Sequence, residues 1–387
     1  MSWPMVKLKD CCDVVGGATP KRNIASYWEG DIPWITPKDI SNLKSPFIYE
    51  APEYISSAGY KAAATYMLPV GTILLTSRAP IGNVAIAGIE LCTNQGFKSL
   101  IPGKNIHNKY LYHCIKKFVP KLELLGNGAT FKEVSKTVVE NFEIPLPPFE
   151  EQKRIASILD KADVIRQKRE QTVKLANDYL RATFLEMFGD PVRNPKNWKL
   201  GKFGDIADCQ LGKMLSKKSK TGIFSKKYLR NANVRWRKID THDLLEMDFN
   251  EKEMSKFELR RGDLLVCEGG EIGRCAIWNN QIKDCYYQKA LHRVRPNYSL
   301  VTSVYLQEYL YSMAKKNAFS EFISEVTFSH LTAEKLKNLL VPVPPLSLQK
   351  KFELIYNKFN SLLNDKYNNH ELSFTLLSNT INESVFK

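Results

Sequence analysis

The chain has 387 residues, too many for one ordinary compact domain, and its 43% apolar and 25% charged side chains are the values of a folded soluble protein, so disorder is not the default. It carries 56 basic against 41 acidic side chains, a net charge of +15 with an isoelectric point near 9.3, which points to a polyanionic partner. It has no run of about 18 apolar residues, and its opening MSWPMVKLKD lacks the apolar core of a signal peptide, so the expected location is cytoplasmic, with no membrane association.

Residues 1–149 alternate short apolar runs with Gly and Pro. IPWITP, GTILLTS, NVAIAG and KSLIP read as short β-strands with turns, and Lys109 to Phe118 as a helix, which makes a mixed α/β globule. Pro147-Pro148 stops this pattern. From Glu150 to Met187 there is no Gly or Pro, and small or apolar residues recur at Ile155, Ile158, Leu159, Ala162, Ile165, Thr172, Ala176, Tyr179 and Thr183, broken by Arg169. That spacing predicts one long helix over the segment 150–190, ended by Gly189-Asp-Pro191. Some 38 residues at 1.5 Å each make a rod of about 57 Å.

A second globule is expected over 191–346, with strands in GDLLVCEGG and RCAIW and a helix from Val304 to Ala314. Its early part is unusual. Between Cys209 and Ile239 lie Lys213, Lys217, Lys218, Lys220, Lys226, Lys227, Arg230, Arg235, Arg237 and Lys238, interleaved with Phe224, Tyr228 and Trp236 and without a single Asp or Glu. Such a stretch reads as phosphate-facing rather than salt-bridged. The segment 347–387 predicts a second helix, with Phe352, Ile355, Phe359, Leu362 and Leu363 and then, more weakly, Leu376, Leu377 and Ile381. Neither helix buries its stripe alone. The economical arrangement is an antiparallel coiled coil joining two globules about a pseudo-two-fold axis, the alternative being two unrelated surface helices.

The chain is written twice. IPLPPFEEQ from Ile144 to Gln152 matches VPVPPLSLQ from Val341 to Gln349 at an offset of 197, as Thr130-Phe131 does Thr327-Phe328. Gly71 and Ile81-Gly82 match Gly262 and Ile272-Gly273 at 191, and Asp10, Asp13 and Gly17 match Asp205, Asp208 and Gly212 at 195. A duplicated unit implies a duplicated task. The expected fold class is therefore α+β, two mixed α/β domains joined by two long helices.

Catalytic tools are missing. The segment Leu146-Pro147-Pro148-Phe149 imitates the loop with which adenine methyltransferases hold a flipped base, but Leu146 stands where a hydrogen-bonding side chain is needed. Gly126-Asn-Gly128 opens like a dinucleotide loop and then has Phe131 in place of the last Gly, and no ATP-binding G-x-x-x-x-G-K-[S/T] occurs. The eight cysteines form no C-x-x-C pair and the six histidines are scattered, so reduced structural thiols and no metal site are expected.

The doubled P-x-P-P leading into Glu150-Glu-Gln152-Lys-Arg-Ile155-Ala-Ser-Ile-Leu159-Asp160 resembles the conserved regions of type I restriction-modification specificity subunits, and the likeness covers essentially the whole chain. The distal copy departs from it, with Ser347-Leu348-Gln349-Lys-Lys in place of the Glu-rich start and Asn364 to His370 interrupting the stripe. The resemblance implies a non-catalytic chain that binds double-stranded DNA and two methyltransferase subunits and, in assemblies that restrict, two motor-nuclease subunits. It places no cofactor in this chain: S-adenosylmethionine and ATP with Mg²⁺ belong to the partners. Each globule would read one half of a bipartite site, and because the two copies are only loosely alike the site would be asymmetric. Candidate DNA contacts are Lys38, Arg78, Asn83, Asn94 and Gln95 in the first copy. The second offers Lys217, Lys218, Lys226, Lys227, Arg230, Asn233, Arg235, Arg237, Glu268, Arg274 and Gln288. Candidate docking residues for the methyltransferase subunits are Gln152, Arg154, Ile155, Leu159, Arg166, Gln349, Phe352 and Phe359. The rival expectations are a stand-alone DNA-binding regulator, a coiled-coil scaffold and, least supported, an enzyme.

Overall fold

A computed structural model describes residues 3–41, 43, 45–78, 80–128, 132–216, 222–321 and 330–363. These form two compact units, residues 3–169 and 170–363. The boundary falls inside a continuous helix, Phe149–Phe188, so the segment that the sequence sets apart is shared between the units.

In the first unit, Met5–Lys7 pairs antiparallel with Glu143–Pro145 and ties the start of the unit to the Pro-rich turn. Its main sheet has the spatial order Cys12–Gly16, Lys98–Pro102, Ile73–Ser77, Ile81–Ala87, Phe47–Ile48. The alternation of a strand sends Ile73 and Leu75 to one face, under the helix Asn108–Leu124, and Leu74 to the other, against Ile35, Phe97 and Ala85. Both faces are covered, which is why Ile73-Leu74-Leu75 are apolar without alternation. A smaller sheet runs Glu53–Ile55, Trp28–Ile35, Cys92–Thr93, its last pair parallel.

The second unit repeats this plan with a main sheet of four strands, the counterparts of the first four in the other. Leu200–Lys202 pairs antiparallel with Leu340–Pro342. The main sheet runs Ala207–Leu211, Leu291–Pro296, Leu264–Cys267, Cys275–Ile277, and the smaller one runs Leu245–Asp248, Ser225–Leu229, Cys285–Tyr287, again with a parallel last pair. A helix, Ser303–Lys315, lies where Asn108–Leu124 lies in the first, and Tyr110 and Tyr305 each donate a phenolic hydrogen bond to the carbonyl of the first proline of a P-x-P-P motif, Pro145 and Pro342. The repeated glycine has a steric cause. A Cβ on Gly17 would meet the Thr93 carbonyl oxygen at 2.2 Å, and one on Gly212 would meet that of Gln288 at 2.4 Å.

Each half of the long helix belongs to its own unit's core. In the first, Ile155 and Ala156 join the sheet-and-helix core, and Asp160 accepts from Lys109 Nζ at 2.7 Å and bonds His113 Nε2 at 2.8 Å. In the second, Ala176, Leu180, Phe184 and Phe188 turn inward at every fourth residue, and Phe184 lies 5.7 Å from Tyr305 and 5.5 Å from Phe352. The stripe expected through Tyr179 and Thr183 is thus rotated by about one residue, because the two phenylalanines take the space facing Tyr305. Tyr179 is largely exposed but stacks on Phe359 at 4.9 Å. Phe359 opposite Tyr179 and Phe352 opposite Phe184 make the helix over 346–363 antiparallel to this half. Leu376, Leu377, Ile381 and the interruption at 364–370 lie outside the described residues.

Gly189, at φ 80°, ends the long helix with its N–H on the Leu185 carbonyl. Lys196 Nζ donates to the carbonyls of Glu186 and Met187 and Trp198 Nε1 to that of Phe188, which satisfies the last turn. All eight cysteines are buried and unbridged. Burial pushes the thiols of Cys114, Cys209 and Cys285 up to about 12.

Candidate nucleic-acid interface

Three backbone segments meet at one edge of each unit, held by matching hydrogen bonds. In the first unit the amide of Asn94 donates to the Ile35 carbonyl at 3.0 Å and that of Ser77 to the Gly96 carbonyl at 2.8 Å. In the second, Gln288 donates to the Leu229 carbonyl at 3.1 Å and Glu268 to the Ala290 carbonyl at 3.0 Å. The turn that follows the first of these strands is closed alike, by the Asp39 carboxylate returning to the Thr36 N–H and by the Asn233 carbonyl returning to the Arg230 N–H.

This framework gathers the first unit's five candidates. Lys38 is exposed on the turn after Thr36, and a Cβ on Gly96 would lie 2.7 Å from Pro37, so Asn94 and Gln95 border that turn. Asn83 Nδ2 donates to Ser41 Oγ at 3.0 Å, which brings Asn83 to the same place, and Arg78 follows Ser77 directly. Asn94 spends its carbonyl on the Gly96 N–H, and Gln95 accepts from Thr19 Oγ1. In the second unit Arg230, Glu268, Arg274 and Gln288 occupy the equivalent edge. Arg274 Nη2 donates to the Asn231 carbonyl at 3.1 Å, and Asn231 Nδ2 to that of Gly269 at 2.9 Å. The side chains on matching framework positions are unlike: Ser77 answers to Glu268, Asn83 to Arg274 and Asn94 to Gln288. Ser77 and Asn231 stand on this edge but were absent from the sequence-based selection; the 191-residue offset that pairs Ser77 with Glu268 was the signal for the former.

The basic stretch behaves differently from its sequence. Lys217 and Lys218, with Lys220, lie outside the described residues. Of the other seven cations, five have carboxylate partners brought from elsewhere in the fold: Lys213 with Glu253, Lys226 with Asp284, Arg230 with Asp243, Arg235 with Asp240 and Arg237 with Glu308. The expectation of a stretch without salt bridges is corrected, since acids beyond its end, from Asp240 to Glu308, pair with it. Lys227 and Lys238 are exposed.

Two candidates are structural. Asn233 is buried, its Oδ1 accepting from the Arg230 N–H and its Nδ2 donating to the carbonyls of Asp240 and Asp243. Arg237 is also turned inward. Its side chain is 10% exposed, its Nε donates to Glu308 at 2.7 Å, its Nη1 to Asn177 Oδ1 at 2.6 Å, and its guanidinium carbon lies 4.4 Å over the Tyr311 ring. The buried Glu308 carboxylate holds the guanidinium charged against the cost of burial. Four docking candidates are corrected on the same ground: Gln152, Ile155, Gln349 and Phe352 are at most 1% exposed within their own units. Leu159 is half-buried against the first unit's core and Phe359 against the second's, where it stacks on Tyr179. Arg154 and Arg166 remain at the surface, paired with Glu151 and Asp163.

No group of three or more His, Cys, Asp or Glu placed to hold a metal occurs among the described residues, and no helix among them is long and apolar enough to cross a membrane. The family description "Type I restriction modification DNA specificity domain" matches residues 2–175 and again 195–370. The chain belongs to that family. The two specificity-domain matches coincide with the two copies of the fold, and they leave the stand-alone regulator reading without support. The MjaIX specificity subunit of Methanocaldococcus jannaschii is 38% identical over 232 residues, 54% of this chain and 52% of that one, so the match spans about half the length of that relative. The MjaVIII specificity subunit of the same organism is 21% identical over 369 residues, 90% of this chain and 84% of that one. The fold is similar to the type I restriction-modification S subunit from M. genitalium, with a TM-score of 0.59 at 16% identity over 100% of this chain and 96% of that one. It is also similar to a chain from a structure titled for complex assembly and conformational transition of the type I system, with a TM-score of 0.53 at 18% identity, 100% and 98% covered.

Proposed function

We propose that the chain is the DNA-recognition subunit of a type I restriction-modification complex, without catalysis of its own. It reads an asymmetric bipartite site in double-stranded DNA and positions two adenine methyltransferase subunits and, in assemblies that restrict, two motor-nuclease subunits. S-adenosylmethionine, and ATP with Mg²⁺, belong to those partners. The observation that carries this reading is the pair of loop edges with one backbone framework and unlike side chains. Equal frameworks present side chains to two half-sites in one manner, and unlike side chains make the half-sites differ. A family match over both copies supports it.

Docking of the methyltransferase subunits falls to what the helices expose. In the first unit these include Arg154, Val164, Ile165 and Arg166, and in the second Leu175, Leu354 and Leu362. The test is co-expression with the host's methyltransferase subunit and single-molecule mapping of N6-methyladenine. A split motif that vanishes when this chain is omitted is the expected result, and methylation independent of the chain refutes the reading. Arg274→Ala changes one half of the motif and Asn83→Ala the other.

A further inference from the structure

The two P-x-P-P motifs end in a helix whose fourth residue is a glutamine, and both glutamines are fully buried. Gln152 Oε1 accepts the His107 N–H at 2.8 Å, while Nε2 donates to the carbonyls of Asn105 at 3.0 Å and Pro147 at 2.8 Å. Gln349 Oε1 accepts the Thr302 N–H at 2.9 Å, and its Nε2 donates to Leu300 at 2.9 Å and Pro344 at 2.8 Å. The partners correspond one for one. His107 and Thr302 are the residues that immediately precede the helices Asn108–Leu124 and Ser303–Lys315. Each amide thus joins three things: the helix that carries it, the Pro-rich turn before that helix, and the start of the recognition domain's own helix.

We infer that Gln152 and Gln349 are positioning residues for target spacing, fixing the angle at which each recognition domain leaves its helix. Apolar packing resists separation but tolerates small rotations, whereas three short hydrogen bonds to one planar amide define a direction. The amide uses both donors and one acceptor lone pair, and every bond is to backbone, so the arrangement is independent of which bases either domain reads. That independence fits a part found identically in both copies while the loop edges differ. The inference rests on the recognition function proposed above.

The experiment uses the full chain assembled with its methyltransferase partner and a set of DNA sites whose two half-sites are set one base pair closer or farther than the native spacing. Wild type is expected to favour the native spacing at least tenfold. Gln152→Leu and the milder Gln152→Asn are expected to reduce that preference at least threefold while reading the same half-sites, and Gln349→Leu to do so independently. Leu111→Ala, which loosens the same core without touching the amide, is expected to leave the preference unchanged. An unchanged preference in the glutamine variants overturns the inference, as does an equal loss in Leu111→Ala. Absence of any spacing preference in wild type refutes the recognition function instead. Hydrogen exchange of the wild-type chain keeps the idea falsifiable if variants fail to assemble: the amides of His107 and Thr302 are expected among the slow ones, and fast exchange at both overturns the assignment.

Discussion

Replacing Arg237 by methionine removes the cation beside a carboxylate that is 1% exposed. Glu308 cannot regain water without opening the contact between the helix Ser303–Lys315 and the long helix, where Asn177 shares the same guanidinium. Breaking such a pair from one side costs about 3–5 kcal/mol. Arg237 also sits at φ 62° in the two-residue turn between Val234–Arg235 and Lys238–Ile239, a conformation that costs a side-chain-bearing residue about 1 kcal/mol or more. Arg237→Gly relieves that strain as it breaks the pair, so it should be milder than Arg237→Met by roughly that amount. The double variant Arg237→Met, Glu308→Leu should recover to within about 2 kcal/mol of wild type, because an apolar replacement of a buried pair is close to neutral. Urea unfolding with tryptophan fluorescence and calorimetry measures the cycle, and for a unit of this size the single variant should lower the midpoint by about 10 °C. Additive single effects, or an Arg237→Met variant as stable as wild type that binds DNA less well, would return Arg237 to the DNA surface and refute the argument.

Gly212→Ala places a Cβ about 2.4 Å from the Gln288 carbonyl and should lower the urea midpoint sharply, with Gly17→Ala acting likewise in the first unit; a neutral alanine at both shows that the crossing is not tight. His292 and His113 are held below the ordinary value of 6.5 by burial, only partly offset by the Leu331 carbonyl and by Asp160. The unfolded chain therefore binds protons that the folded one refuses, so stability is constant above about pH 7 and falls as pH drops through 6.5, by up to about 1.4 kcal/mol per pH unit for each group. His292→Gln, which keeps a donor toward Leu331, should flatten part of that decline, and a midpoint that rises on acidification contradicts the assignment. Lys227→Gln and Lys238→Gln should each reduce the salt dependence of DNA binding by the assembled complex by about one ion, and an unchanged slope removes them from the DNA surface.

What the sequence made legible was local or repeated. Pro147-Pro148 and Gly189-Asp-Pro191 bound the long helix within a residue or two because proline and glycine act on the backbone where they stand. The duplication was visible because Gly17 and Gly212 are needed at the same crossing. Partners distant in the chain were not visible: nothing in the stretch from Cys209 to Ile239 announces Glu253, Asp284 or Glu308. The glutamines look like ordinary polar residues of a helix's first turn, and only the fold shows three backbone groups waiting for each. Strand order was likewise out of reach, since it is set by contacts between runs that look alike one at a time.

The burial of all eight thiols makes the chain a quiet background for chemistry. Seven are pushed above their ordinary value by burial and their neighbours. The eighth, Cys11, is drawn down by its bond to Cys12 but is closed off from solvent with it. A thiol near 12 is ionised to about one part in 10⁵ at neutral pH, against a few per cent for an exposed one. A single cysteine introduced at Lys38 or Lys227 would therefore take a fluorophore or a photocrosslinker almost alone, and each unit could be followed separately.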